Sequence, residues 1–271
     1  MNTDERKMSA LEKMRARLFA QDPTLANLAS KPRRDTSIFQ HWEMAVGVSA
    51  TLRFLPDGNE DNTFFWVQRD MIKLPFHGIK GKPEIKQVVV QVPCMEMYDE
   101  ECPVLCEVRP WMRDSTLEDM ARRYWKKRSY FYQGFVRQSP LHEPDKPINP
   151  IRQFIFGPEV HNLVRNMLLH EDLLESPCDY ERGMNFTIKK TEKNGYANYD
   201  QSYWSLKESA ISVAEHEAIR KHGLLDLGTR LPPKPSADAV KVIGEMFTAS
   251  VDGEMYDPER WSEFFAPFSF N

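Results

Sequence analysis

From Ala45 onward the apolar residues of this chain recur at every second position, and that period restricts it to a sheet-based fold. Val46, Val48, Ala50, Leu52 and Phe54 alternate with Gly47, Ser49, Thr51 and Arg53 before a Pro-Asp-Gly turn. This is the signature of a half-buried strand with Arg53 on its other face. Further strand-like runs follow at FFWVQ, KQVVVQV, SYFYQGFV, RQFIF and NFTIKKT, separated by segments rich in Pro, Gly and Asp. One helix interrupts them after Gly157-Pro158, with Val160, Leu163, Val164, Met167 and Leu168 as its apolar stripe. Short strands with an inserted helix predict a mainly β fold with added helices (α+β) and fit a small barrel of the oligonucleotide-binding (OB-fold) type, a pattern that other mixed folds also share.

Three segments are expected. Residues 1–40 form a basic arm whose first part is an amphipathic helix carrying Met8, Leu11 and Leu18, residues 41–230 form the core, and residues 231–271 form a linker and an acidic tail. No stretch approaches the roughly 18 apolar residues of a membrane helix, and the first residues lack a secretory apolar region, so a cytoplasmic location is expected.

The net charge of -4 excludes a protein that merely coats nucleic acid electrostatically, but charge is unevenly distributed. Arg122, Arg123, Lys126, Lys127 and Arg128 lead without an acidic residue into Tyr130, Phe131, Tyr132 and Phe135, whereas Asp252, Glu254, Asp257, Glu259 and Glu263 crowd the C-terminal end. Cations neutralise phosphates and flat rings stack unpaired bases, so the run at 121–137 has the chemistry of a single-strand binder. Strand alternation puts Tyr130 and Tyr132 on one face, expected to meet nucleic acid, and Phe131 and Phe135 on the opposite, inward face. A second candidate is FTIKKTEKNGYANYDQSYW, where Lys189 alternates away from Phe186 and Ile188, and Tyr196, Tyr199 and Tyr203 follow a Lys-Asn-Gly turn.

His77, Cys94, Cys102 and Cys106 compose a one-histidine, three-thiolate set of the kind that closes a structural zinc site, within a subdomain expected over 70–115. Three reduced cysteines with a chance histidine is the alternative reading. No nucleophile elbow, phosphate-cradling loop or deaminase signature occurs, so no catalytic residue and no enzymatic activity is expected. A metal-dependent nuclease and an RNA-binding regulator remain the rival classes.

The motifs TLRFLPDGNED, HG with CPVLC, KKRSYFYQGFV, FIFGPEVHNLV and MNFTIKKTEKNGYANYDQSYW follow in an order that resembles the single-stranded-DNA-binding, helix-destabilising proteins of tailed-phage replication, of the T-even type. The resemblance implies an OB-fold barrel, a zinc subdomain and a host-cell cytoplasmic location. It also implies a basic arm for cooperative self-association, and an acidic tail that recruits replication and recombination proteins. Carried over by position, it places DNA contacts at Arg53, Lys126, Lys127, Arg128, Tyr130, Tyr196 and Tyr199.

Overall fold

In the computed structural model, which describes residues 35–144 and 146–267, Ala50, Leu52 and Phe54 all enter one aromatic core. Phe54 packs against the rings of Phe65, Tyr132, Phe154, Phe156, Phe186 and Trp204 at centroid distances of 5.1–6.2 Å. Burial of each such ring stabilises the fold by roughly 1.5–3 kcal/mol, which is why the alternating pattern fixes register so firmly. Compact units divide the chain into Met1–Thr36 and Ser37–Asn271. The helix expected in the arm lies outside the described residues. Ile38, which bridges to Gln153, and the fully buried Phe39 belong to the core rather than to the arm.

The strands are β1 (Ser49–Leu55), β2 (Val67–Phe76), β3 (Val88–Pro93), β4 (Lys127–Gln138), β5 (Ile151–Phe156), β6 (Met184–Lys189), β7 (Thr191–Lys193), β8 (Tyr196–Asn198) and β9 (Tyr203–Glu208). The helices are α1 (Pro103–Trp111), α2 (Glu118–Tyr124), α3 (Pro158–Leu168), α4 (Val213–His222), α5 (Ala237–Val251) and α6 (Pro258–Trp261). The main sheet runs β3-β2-β4-β1-β6-β9, with β5 also paired to β4, and every pairing is antiparallel. β4 is its spine. Its first half pairs with β2 and its second half with β1, while β5 covers Tyr130 to Phe135 and so takes the other edge. The chain therefore leaves the sheet between Leu55 and Val67 and returns along the same edge of β4. Gly134 permits this close pairing, because a Cβ there would collide with the Arg53 carbonyl.

The expected barrel is not closed. β3 and β9 end the sheet path without pairing to each other, and β3 instead packs into a second lobe. In that lobe Ile72, Leu74, Phe76, Val90 and Val92 meet Val104, Leu105 and Val108 of α1 and Ile243, Met246 and Phe247 of α5. The segment read as a linker and tail is thus part of the fold up to residue 267. Ser236 caps α5 by accepting from the Ala239 N–H, and Tyr256 and Trp261 are buried. No helix among the described residues is long and apolar enough to cross a membrane.

Candidate nucleic-acid interface

The cationic lead of β4 is largely neutralised within the fold. The carboxylate of Asp70, 1% exposed, lies between Lys126 Nζ at 2.9 Å and Arg128 Nε at 3.1 Å. Lys126 Nζ also reaches Glu96 at 2.9 Å, and Glu96 pairs with Arg109. Burial pulls the Lys126 ammonium down, but its bonds to Glu96 and Asp70 outweigh this and raise it. Arg122 pairs with Glu118 one helical turn back, and Lys127 Nζ donates to the Arg122 carbonyl at 2.9 Å. Arg128 keeps a solvent face, its side chain 38% exposed, and Arg123 is exposed.

The aromatic part of the run corrects the expected division of faces. Tyr130 and Tyr132 are buried in the aromatic core, and Phe131 and Phe135 are buried as well. Tyr130 stacks flat on His161 of α3, with centroids 3.4 Å apart and planes 5° from parallel, and the Tyr132 hydroxyl lies 2.7 Å from His161 Nδ1. On the other face the Arg69 guanidinium sits 4.5 Å from the Phe131 ring centroid, and Phe135 packs with Leu55, Ile151, Ile211 and Ala218. A strand with partners on both edges and cover on both faces has no side left for bases.

Arg53 is corrected in the same way. It does point away from the aromatic core, yet it is fully buried. Its guanidinium donates to the carbonyls of Ser209 at 3.2 Å, Phe54 at 3.3 Å, Pro177 at 2.5 Å and Asp179, and Gly183 packs directly against it. Burial pulls its pKa down.

Two buried histidines give the fold a pH dependence. Burial holds His161 down to about 4, helped by the charges of Arg165 and Arg128. Burial likewise holds His41 down to about 4, its bond with the Phe39 backbone opposing the shift and the Lys190 charge adding to it. Both remain neutral when folded but protonate near 6.5 when unfolded, so the stability is present above that pH and lost as pH falls toward 4. Between pH 7 and pH 5 the His41 shift should cost about 2 kcal/mol, and His161 adds to it in the same direction. Urea midpoints at the two pH values check this, and equal midpoints would contradict it.

The exposed aromatics lie elsewhere. Phe64, 53% exposed, packs at 4.7 Å and 32° on the half-buried Trp66, which in turn meets His161 edge-on at 5.1 Å. Asn62 fixes the loop that carries them: its side-chain amide donates to Asp57 at 2.7 Å and to the Trp66 carbonyl at 3.1 Å, and its oxygen accepts the Phe64 N–H at 3.0 Å. The charges of Arg128 and the exposed Arg165 act on His161, against which Trp66 packs. A second patch surrounds the β7–β8 hairpin, whose Asn194-Gly195 turn has the positive φ values (54° and 80°) that the Lys-Asn-Gly sequence predicts. Tyr196 is 78% exposed there, Tyr203 58% and Trp42 43%. Tyr199 is half-buried against His41 at 5.2 Å, Lys189 is half-buried, and Lys190 Nζ donates to the Trp42 carbonyl at 2.6 Å. Phe64, Trp66, Trp42 and Arg165 were not singled out from sequence. The usable signal was the FFW run directly after the turn-forming GNEDN.

The four residues of the expected zinc set are not brought together. The Cys94 and Cys102 thiols are buried and hydrogen-bonded to each other; that bond and burial push Cys94 up. The same bond, with backbone N–H groups at the start of α1, brings Cys102 down to about 6. Cys106 Sγ donates to Glu101 at 3.1 Å, and His77 is exposed at the far end of β2. Among the described residues no three His, Cys, Asp or Glu side chains converge on a point that a metal ion could occupy.

No family model matches this chain. It is similar to two phage proteins. Over 211 residues it is 25% identical to the Single-stranded DNA-binding protein of Enterobacteria phage T2 and equally to that of Enterobacteria phage T4. The aligned stretch covers 73% of this chain and 63% and 64% of those proteins, so the chain spans somewhat less than two thirds of their length.

Proposed function

We propose that this chain binds single-stranded DNA without sequence preference and without catalysing a reaction, protecting and organising the strand during phage DNA replication, recombination and repair. The observation that carries this reading is the step of exposed Phe64 on half-buried Trp66, next to His161, on whose charge Arg128 and Arg165 act. The similarity to two proteins named for single-stranded DNA binding points the same way. Bases stack on the rings, each contact contributing roughly 1–3 kcal/mol, while the arginines neutralise adjacent phosphates. The hairpin patch with Tyr196, Tyr203, Trp42 and Lys190 continues the binding surface for neighbouring nucleotides. Exposed Asp252, Glu254, Glu259 and Glu263 offer acidic side chains to replication and recombination proteins.

Titration of the full chain with oligothymidine, with duplex as competitor, tests the reading. A single strand should be bound in clear preference to duplex, with an affinity that falls steeply as salt rises. Equal affinity for the two forms, or indifference to salt, would overturn it.

A further inference from the structure

His77, Cys94, Cys102 and Cys106 have the composition of a zinc site, but the sheet holds His77 apart from the cysteines. The Cys94 N–H donates to the Asp70 carbonyl at 3.0 Å, so this thiol sits beside the start of the β2–β3 ladder. That ladder then runs without interruption from Met71↔Pro93 to Phe76↔Val88, and His77 follows its last residue. From Asp70 to His77 an extended chain covers roughly 23 Å at about 3.3 Å per residue. Zinc ligands all lie within about 2.3 Å of one ion, and no side-chain rotation closes such a gap.

We infer that the second lobe folds without metal and is closed by the C-terminal segment instead. The turn after β2, where the histidine ligand would be needed, is stapled by residues 254–257. The His77 N–H donates to the Glu254 carbonyl at 3.3 Å, the Tyr256 N–H to Gly78 at 2.9 Å and the Lys80 N–H to Tyr256 at 2.9 Å. Lys80 Nζ pairs with Asp257 at 2.9 Å, and the His77 ring packs over Gly253. Against α1 and α2 the lobe is closed by side chains of α5: Phe247 stacks on Trp111 at 5.7 Å and meets Tyr124 edge-on at 5.3 Å. Small metal-bound subdomains need the ion because their own apolar core is too small to hold them. Here Trp261 and Tyr256, packed around Phe76 at 5.5 and 5.7 Å, enlarge that core from the C-terminal end.

The test uses the full chain, produced in zinc-supplemented medium and passed through gel filtration. Metal content is then measured, and thermal unfolding is followed with and without 1,10-phenanthroline. The expected result is no retained zinc, a Tm that the chelator does not move and a His77→Ala variant that unfolds with the parent. Trp261→Ala should lower Tm by roughly 10 °C. Near-stoichiometric zinc with a chelator-induced Tm loss of about 10 °C or more would overturn the inference. So would a Trp261→Ala variant as stable as the parent.

Discussion

Replacing Arg53 by methionine should destabilise the chain by roughly 1–3 kcal/mol, read as a lower urea midpoint with an unchanged m value. Methionine fills much of the volume but donates nothing. The Ser209 carbonyl would then lose its guanidinium donor at a cost of roughly 1–3 kcal/mol, while the Pro177 and Asp179 carbonyls would keep only the Met184 and Gly183 N–H groups. Lysine lacks the planar fork that reaches several acceptors at once, so Arg53→Lys should recover only part of the loss. Neither change should alter oligothymidine affinity while the protein remains folded, because no part of Arg53 reaches the surface. A fully stable Arg53→Met variant with weakened DNA binding would return Arg53 to the contact role that the family resemblance implies.

The second large effect belongs to the exposed rings. Phe64→Ala should weaken oligothymidine binding roughly 5- to 150-fold, the equivalent of one lost stack of 1–3 kcal/mol, with no change in salt dependence. Trp66→Leu should act in the same direction with some loss of stability, since Trp66 also packs on Phe65, Tyr132 and His161. Arg165→Gln should behave in the opposite manner. One phosphate contact fewer lowers the slope of log K against log salt by about 0.7 and leaves stacking intact. Arg128→Gln is the less clean probe, because it also strips a partner from the buried Asp70. Unchanged affinity in both Phe64→Ala and Trp66→Leu would remove the ring step from the interface.

The alternation of Ala50, Leu52 and Phe54, and that of Phe186 and Ile188, made the strands legible because one face of each is buried by the same aromatic core. The Asn194-Gly195 turn was legible because few other residue pairs accept positive φ at two successive positions. β4 was legible as a strand but not as a spine. Whether its tyrosines face solvent depends on β5 and α3, and whether Phe135 does depends on the chain around Ile211, elements contributed by distant segments. The fate of Arg53 is set by Pro177 and Asp179, 124 and 126 residues further on, and no local pattern announces them. FFWVQ has strand composition, yet only its last two residues enter β2, and that offset is what exposes Phe64. At the C-terminal end no local pattern shows that Ile243, Met246 and Phe247 complete the second lobe, because the residues they meet lie on β2, β3 and α1. The cysteine spacing fits a zinc set in composition, but spacing along the chain does not fix distance across a sheet.

Zero-length ultraviolet crosslinking of oligothymidine to the full chain, followed by peptide mapping, tests most directly where the strand lies. Adducts are expected at Phe64 or Trp66, with a second group at Trp42, Tyr196 or Tyr203. Adducts at Tyr130 or Tyr132, with none on the loop between β1 and β2, would contradict the interface described above.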